Sequence, residues 1–243
     1  MAKQQKDLHL IYGIHPILEL LRAGRRKIYK IYTTKPTPKI WITIEPLLSK
    51  FTEIKYVAKE LLNKLADTTD HQSIIAFTGP LIIRKNFFDP LKYPFLVMLS
   101  EIQDPRNTGA ILRSAYCTGA DGVILTTKNS APLNAVAIKS SAGLSEHLEI
   151  FQTQSSTTGV SELKAAGYNI YFAALGGQDA TKASYLSPLC LVIGNEATGI
   201  NKNLFKYGEI LTLPQKESEI SYNASVAAGI LLFMAAQKLS KLS

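Results

Sequence analysis

From residue 94 onward the chain carries five short apolar runs: Phe95–Ser100 (FLVMLS), Gly122–Thr126 (GVILT), Asn169–Ala174 (NIYFAA), Leu189–Gly194 (LCLVIG) and Ile210–Leu213. Several are separated by amphipathic stretches. Runs this short and this uniformly apolar read as parallel strands buried on both faces and alternating with helices, an α/β architecture. Helices are expected at about Asn107–Thr118, Asn134–Ser140, Ser161–Ala166 and Asn223–Leu239. In such sheets ligands gather at the carboxyl ends of the strands, so the chemistry is expected in the loops that follow them. Three loops stand out: Glu101–Gly109, Gly194–Ile200, and the stretch from Leu213 through Ser221 to Ser225.

The part before residue 80 has a different texture. Gly13-Ile14-His15-Pro16 followed by ILELLRAG predicts a helix with Pro16 in its first turn and Gly24 as its stop. A strand over Ile28–Thr34, a helical stretch over 37–49, a strand at Ile54–Val57, a helix near Lys59–Leu65 and a strand at Ser73–Thr78 complete a small α/β unit. Between them, GPLIIRKNFFDPLKYP mixes breakers and charge without periodicity and reads as a linker. The domain reading is therefore 1–80, a linker at 81–93, and 94–243.

Charge separates the two parts further. Residues 1–80 hold 13 Lys and Arg against 7 Asp and Glu, whereas the remainder holds 14 against 12. Arg22, Arg25, Arg26 and Lys27 crowd one turn, a density suited to a polyanion such as RNA. The same cations would also complement a helix C-terminus, a reading ranked behind the polyanion. A composition with 46% hydrophobic and 19% charged residues excludes a disordered tail. No stretch is apolar enough for a membrane helix, and the N-terminus lacks the apolar core of a signal peptide, so a cytoplasmic protein is expected. Cys117 and Cys190 have no metal or redox spacing, and no metal is expected.

Taken singly, the loop residues have ordinary explanations. Asn107 could cap a helix and Arg113 pair with an acid; the two, six positions apart, can lie toward a common side within two turns. The glycines around Asn195-Glu196 would let backbone approach a ligand, and Ser221 and Asn223 suit a helix start. In series, however, DPRNTGAILRSA, LVIGNEATGI and LTLP with SYNASVAAGI resemble the three motifs of the SpoU, or TrmH-like, branch of the SPOUT RNA methyltransferases. YGIHPILELL, the basic turn and HQSIIAF resemble the L30e-like RNA-binding domain of the RlmB-type members. The glycine-rich loop that a Rossmann methyltransferase would need after its first strand is absent, LSEIQDPRN standing there instead.

The resemblance implies a SPOUT-type parallel sheet with a C-terminal trefoil knot, preceded by the L30e-like domain. It implies a homodimer that transfers a methyl group from S-adenosylmethionine to a ribose 2′-hydroxyl, with a guanosine of 23S ribosomal RNA as acceptor. A tRNA guanosine methyltransferase and a non-catalytic RNA-binding or ribosome-assembly protein are the alternatives. By the same resemblance Arg113 contacts the target phosphate and is the proposed base, Asn107 and Glu196 frame the site, and Ser221 and Asn223 hold the target. Gly194, Leu213 and Tyr222, with Leu175 and Gly176, would hold the cofactor, and Arg22, Arg25, Arg26 and Lys27 the RNA. Tyr222 and Ala224 stand where the family usually has Leu and Val.

Overall fold

A computed structural model describes residues 8–217 and 221–242. The N-terminal stretch in which no signal peptide was expected, and positions 218–220 of the third loop, fall largely or wholly outside them. In chain order the strands are β1 (His9–Tyr12), β2 (Ile28–Thr33), β3 (Glu53–Tyr56), β4 (Ile74–Thr78), β5 (Phe95–Leu99), β6 (Gly122–Thr126), β7 (Ile150–Thr153), β8 (Asn169–Asp179), β9 (Leu189–Ile193) and β10 (Glu209–Thr212). The helices are α1 (Ile14–Ala23), α2 (Trp41–Ile44), α3 (Lys59–Ala66), α4 (Pro105–Cys117), α5 (Ala135–Ser140), α6 (Ser156–Ala166) and α7 (Ala224–Lys238). The chain divides into two units, the second comprising Ile83–Pro132 and the residues from Leu148 onward.

The first unit is built on a sheet of order β1-β4-β2-β3, with β4 antiparallel to β1 and β2, and β2 parallel to β3. Gly24 ends α1 in the left-handed region, φ 63°, its N–H reaching Leu20 O at 3.1 Å, as its place after an apolar helix predicts. Ile17, Leu20, Ile31, Trp41, Ile44 and Ile74 form the core. The helical stretch expected over 37–49 shortens to α2 and one 3₁₀ turn, Glu45–Leu47.

The segment Leu133–His147, expected in the second domain, belongs to this first unit. Ile138 of α5 enters its core. Glu146 meets Arg26, their side chains only 2% and 3% exposed. Arg26 is fully engaged: Nε donates to Glu146 Oε2 at 2.9 Å, Nη2 to Oε1, and Nη1 to Thr78 Oγ1 at 3.0 Å and Gly79 O at 2.9 Å. This corrects the expectation for Arg26, whose guanidinium is enclosed in the unit and not presented to RNA. Charge density along the chain could not reveal it, because the carboxylate that claims the cation lies 120 residues away. Arg22 stays largely exposed beside Glu19, at 2.6 Å, and Lys27 is exposed.

The second unit holds a six-stranded, wholly parallel sheet of order β10-β8-β9-β5-β6-β7. The five apolar runs form β5, β6, β8, β9 and β10; β7, with the sequence IFQT, adds the sixth strand. Leu96, Met98, Ile124, Val160, Phe172 and Val192 pack into one core. Residues 83–93 are no free linker. Phe88 is buried in that core, and Arg84 stacks on Phe88 and Tyr93 while pairing with Glu149 at 2.7 Å. Among the described residues no helix is long and apolar enough to cross a membrane.

One irregularity shapes the functional end of this sheet. Along β8 and β10 the register jumps from Phe172↔Ile210 to Gln178↔Leu211, so residues 173–177 bow out of the ladder. Thr212 ties the bow: its hydroxyl donates to Ala174 O at 2.8 Å and accepts from Gly177 N at 2.7 Å.

Candidate active site

The loops after β5, β9 and β10 and the bow in β8 all lie at strand carboxyl ends, and side chains tie the first two to each other. Asp104 caps α4, its carboxylate accepting from Arg106 N at 2.8 Å, with Pro105 in the first turn. This sets Asn107 one turn in, where its Nδ2 donates to Glu196 Oε1 at 2.8 Å. Glu196 also accepts from the backbone of Gln103, at 3.3 Å, and of Asp104, at 3.4 Å. Partial burial pushes the Glu196 carboxyl up, but the Asn107 amide and the backbone N–H groups outweigh it and hold the group below the ordinary carboxylate value. A carboxylate so engaged is a lock between two loops, poorly matched to taking a proton near neutrality.

Asn195 is the second lock. Its Nδ2 donates to Glu101 O at 2.7 Å, while its Oδ1 accepts from Ala197 N at 2.8 Å and Thr198 N at 2.9 Å. Glu101 adopts φ 60°, a left-handed conformation that disfavours a side chain by about 1–2 kcal/mol. Compensating contacts hold it: its N–H donates to Thr126 Oγ1 at 2.8 Å, and its carboxylate accepts from Ser156 Oγ and Asn129 Nδ2, both at 3.2 Å. At Gly194 a Cβ would lie 2.5 Å from Ile200 Cγ1 and 2.7 Å from Gly199 C, so the loop closes only over glycine.

Between the β9 loop, the ends of β8 and β10 and the start of α7 opens a cavity of about 290 Å³, near the lower end for small-molecule sites. Its apolar side is made by Ala173, Ala174, Ile193, Leu211, Leu213 and the α7 residues Ala224, Ala227 and Leu231. Four of the expected cofactor residues, Gly194, Leu213, Tyr222 and Leu175, line it together, as do Glu196 and Ser221. Gly176 does not line it; its φ of 82° instead serves the bow. Glu196 is the only charged side chain on the wall among the described residues. Gln215, also on the wall, has a buried Nε2 without a hydrogen-bond partner among the described residues.

Two expected residues stand apart from this cluster. Asn223 caps α7, its Oδ1 accepting from Ser225 N at 2.9 Å and Ser225 Oγ at 2.6 Å. Arg113 is exposed and makes no hydrogen bond or ion pair with the described residues. No bond joins it to the Asn107–Glu196 pair, contrary to the common side expected: six steps at 100° leave two helical residues about 120° apart. Glu101, Asn195, Thr212 and Gln215 were not anticipated. Asn195 and Glu101 sit inside the loops singled out from the sequence, but what they hold is visible only once β5 and β9 are neighbours.

Comparison with known proteins gives two family matches. Residues 94–233 match the SpoU rRNA Methylase family and residues 10–82 match RNA 2'-O ribose methyltransferase substrate binding. An uncharacterised tRNA/rRNA methyltransferase of Synechocystis sp. is 30% identical over 94% of this chain, which spans 62% of that longer protein. The 23S rRNA (guanosine-2'-O-)-methyltransferase RlmB of Photorhabdus laumondii is 31% identical, covering 95% of this chain and 98% of its own length. Among solved structures, an AdoMet-bound rRNA methyltransferase from Sinorhizobium meliloti aligns with a TM-score of 0.81 at 22% identity, over 99% of this chain and 90% of that one.

Proposed function

The chain belongs to the SpoU rRNA Methylase family, and from that premise we propose that it methylates a ribose 2′-hydroxyl of ribosomal RNA with S-adenosylmethionine, a guanosine of 23S rRNA being the acceptor. The observation that carries the reading is the Asn107–Glu196 bond at 2.8 Å, which joins two of the three motif loops at the wall of one cavity. The cavity fits the cofactor. Apolar walls suit an adenine, the lone Glu196 carboxylate suits a neighbouring cation, and the unpartnered Gln215 amide leaves one donor for a ligand. Gly194, Leu213, Tyr222 and Leu175 would hold it.

When bound, that cofactor supplies a methyl group on a sulfonium, which needs no further activation. The work left to the protein is to align the acceptor oxygen and dispose of its proton. Glu196 and Asn107 fix the loops against which the ribose rests. Arg113, exposed and unpaired among the described residues, is free to grip the phosphate of the target nucleotide with a planar fork of donors. A permanently charged guanidinium suits that positioning role better than the role of base. Ser221 at the cavity wall would accompany the 2′-hydroxyl, while Asn223 acts through the α7 cap.

The first unit would bind the RNA through Arg22, Arg25 and Lys27, with Arg26 reserved for the fold. The homodimer belongs to the same proposal. Helix α7 is apolar around its circumference, yet Val226 and Phe233, seven residues apart on one face, stay about half exposed, as a face awaiting a second copy would be. The proposal includes the C-terminal trefoil knot that the family resemblance implies.

The test is methylation of 23S rRNA and of tRNA by the purified protein with labelled S-adenosylmethionine, followed by mapping of the modified ribose. Label at one 23S guanosine is expected, and is lost in Arg113→Ala. Label confined to tRNA overturns the acceptor, and label in neither RNA, whether free or in assembling subunits, moves the protein to the non-catalytic alternative.

A further inference from the structure

On the wall of the proposed cofactor site one buried side-chain polar atom has no partner among the described residues. Gln215 follows Leu213-Pro214 out of β10 and lines the cavity, where its Nε2 is buried with no hydrogen-bond partner among the described residues. Pro214 O, next to it in the chain, takes the Tyr222 hydroxyl at 3.3 Å. Folded proteins rarely bury an N–H donor without a partner, because the lost hydration is not recovered. A donor left this way on a cavity wall is satisfied by what enters the cavity.

The wall also says which acceptor that is. A carboxylate would need a cation, and no Lys, Arg or His lines the cavity among the described residues; Glu196 would repel it. A neutral, flat heteroaromatic ring with in-plane nitrogen acceptors matches apolar residues such as Leu213, Ala227 and Leu231 around the one buried amide donor without a partner among the described residues. We infer that the Gln215 side-chain amide donates to a ring nitrogen of the cofactor's adenine and so reads the base. This rests on the reading of the cavity as the S-adenosylmethionine site. It gives Gln215 a recognition role that Tyr222, whose hydroxyl is turned to Pro214 O, does not fill. Since the discrimination depends on one bond, an analogue whose ring carbon replaces that nitrogen should lose it, and only while the glutamine is present.

The experiment is calorimetric binding of S-adenosylhomocysteine and of its 1-deaza, 3-deaza and 7-deaza adenine analogues to the full chain and to Gln215→Leu. For the parent compound the variant should bind about tenfold more weakly, the worth of one buried hydrogen bond. For the wild-type chain one of the three analogues should show a similar loss, and that analogue should bind both proteins alike. Equal affinity of variant and wild type for the parent compound overturns the inference. So does a weakened variant that still distinguishes all the analogues as the wild type does, since the glutamine would then only support the wall. A wild-type chain that binds no parent compound overturns the cofactor reading itself, which separates that failure from this one.

Discussion

Removing the Glu146 carboxylate is the sharpest test of how the first unit is held together. Glu146→Ala would leave the Arg26 guanidinium, 3% exposed, with only Thr78 Oγ1 and Gly79 O as partners and no counter-charge. Breaking a buried pair in this way costs about 3–5 kcal/mol, whereas replacing both partners by apolar residues of similar size is often neutral. Glu146→Ala should therefore be strongly destabilised, and Arg26→Met combined with Glu146→Leu should recover most of the loss. The protein provides its own reporter, because its single tryptophan, Trp41, lies in the core of this unit. Urea titration followed by Trp41 fluorescence reads the first unit, and far-ultraviolet circular dichroism reads both. At a slope of about 2 kcal/mol per molar urea, the fluorescence midpoint should fall by about 2 M. A loss below about 1 kcal/mol in Glu146→Ala, or a double variant no better than the single one, would refute the reasoning and return Arg26 to the candidates for RNA contact.

Three further outcomes follow from the second unit. Because the folded chain holds Glu196 below its ordinary value, the stabilisation it lends is present above the unfolded pKa and is lost as pH falls through the folded one; Asn107→Ala should move that loss to higher pH in a thermal-unfolding series. Thr212→Val removes both bonds that tie the bow in β8 and should lower stability by about 1–3 kcal/mol and weaken cofactor binding together, read by calorimetry. Phe233→Glu should convert the proposed dimer to a monomer by light scattering without altering the circular dichroism spectrum, since the side chain is half exposed in the single chain.

Much of the second unit was legible because a parallel sheet buries both faces of its strands, which leaves uninterrupted apolar runs. β7 escaped because IFQT breaks the run with Gln152, and α6 was expected to begin only at Ser161 because its first turn, capped by Ser155, is written in small polar residues without period. In the site, Asn107 and Glu196 were legible as residues that stand in recognisable motifs, and their bond follows from the neighbouring of β5 and β9. Arg26 and Gln215 were not. The first depends on a carboxylate far along the chain, and the second on a cavity that exists only after three loops have met.

The excursion of Leu133–His147 back into the first unit has a consequence for biosynthesis. A nascent chain that has delivered the first 82 residues has supplied every strand of the N-terminal sheet, but neither α5 nor the carboxylate awaited by Arg26. That unit can be completed only after β5, α4 and β6 have been made as well, so the order of synthesis and the order of closure cannot coincide. Cutting the chain at residue 82 would free a fragment lacking one of its own core helices, and a workable isolated first unit would have to be rebuilt with residues 133–147 joined on by a new connection.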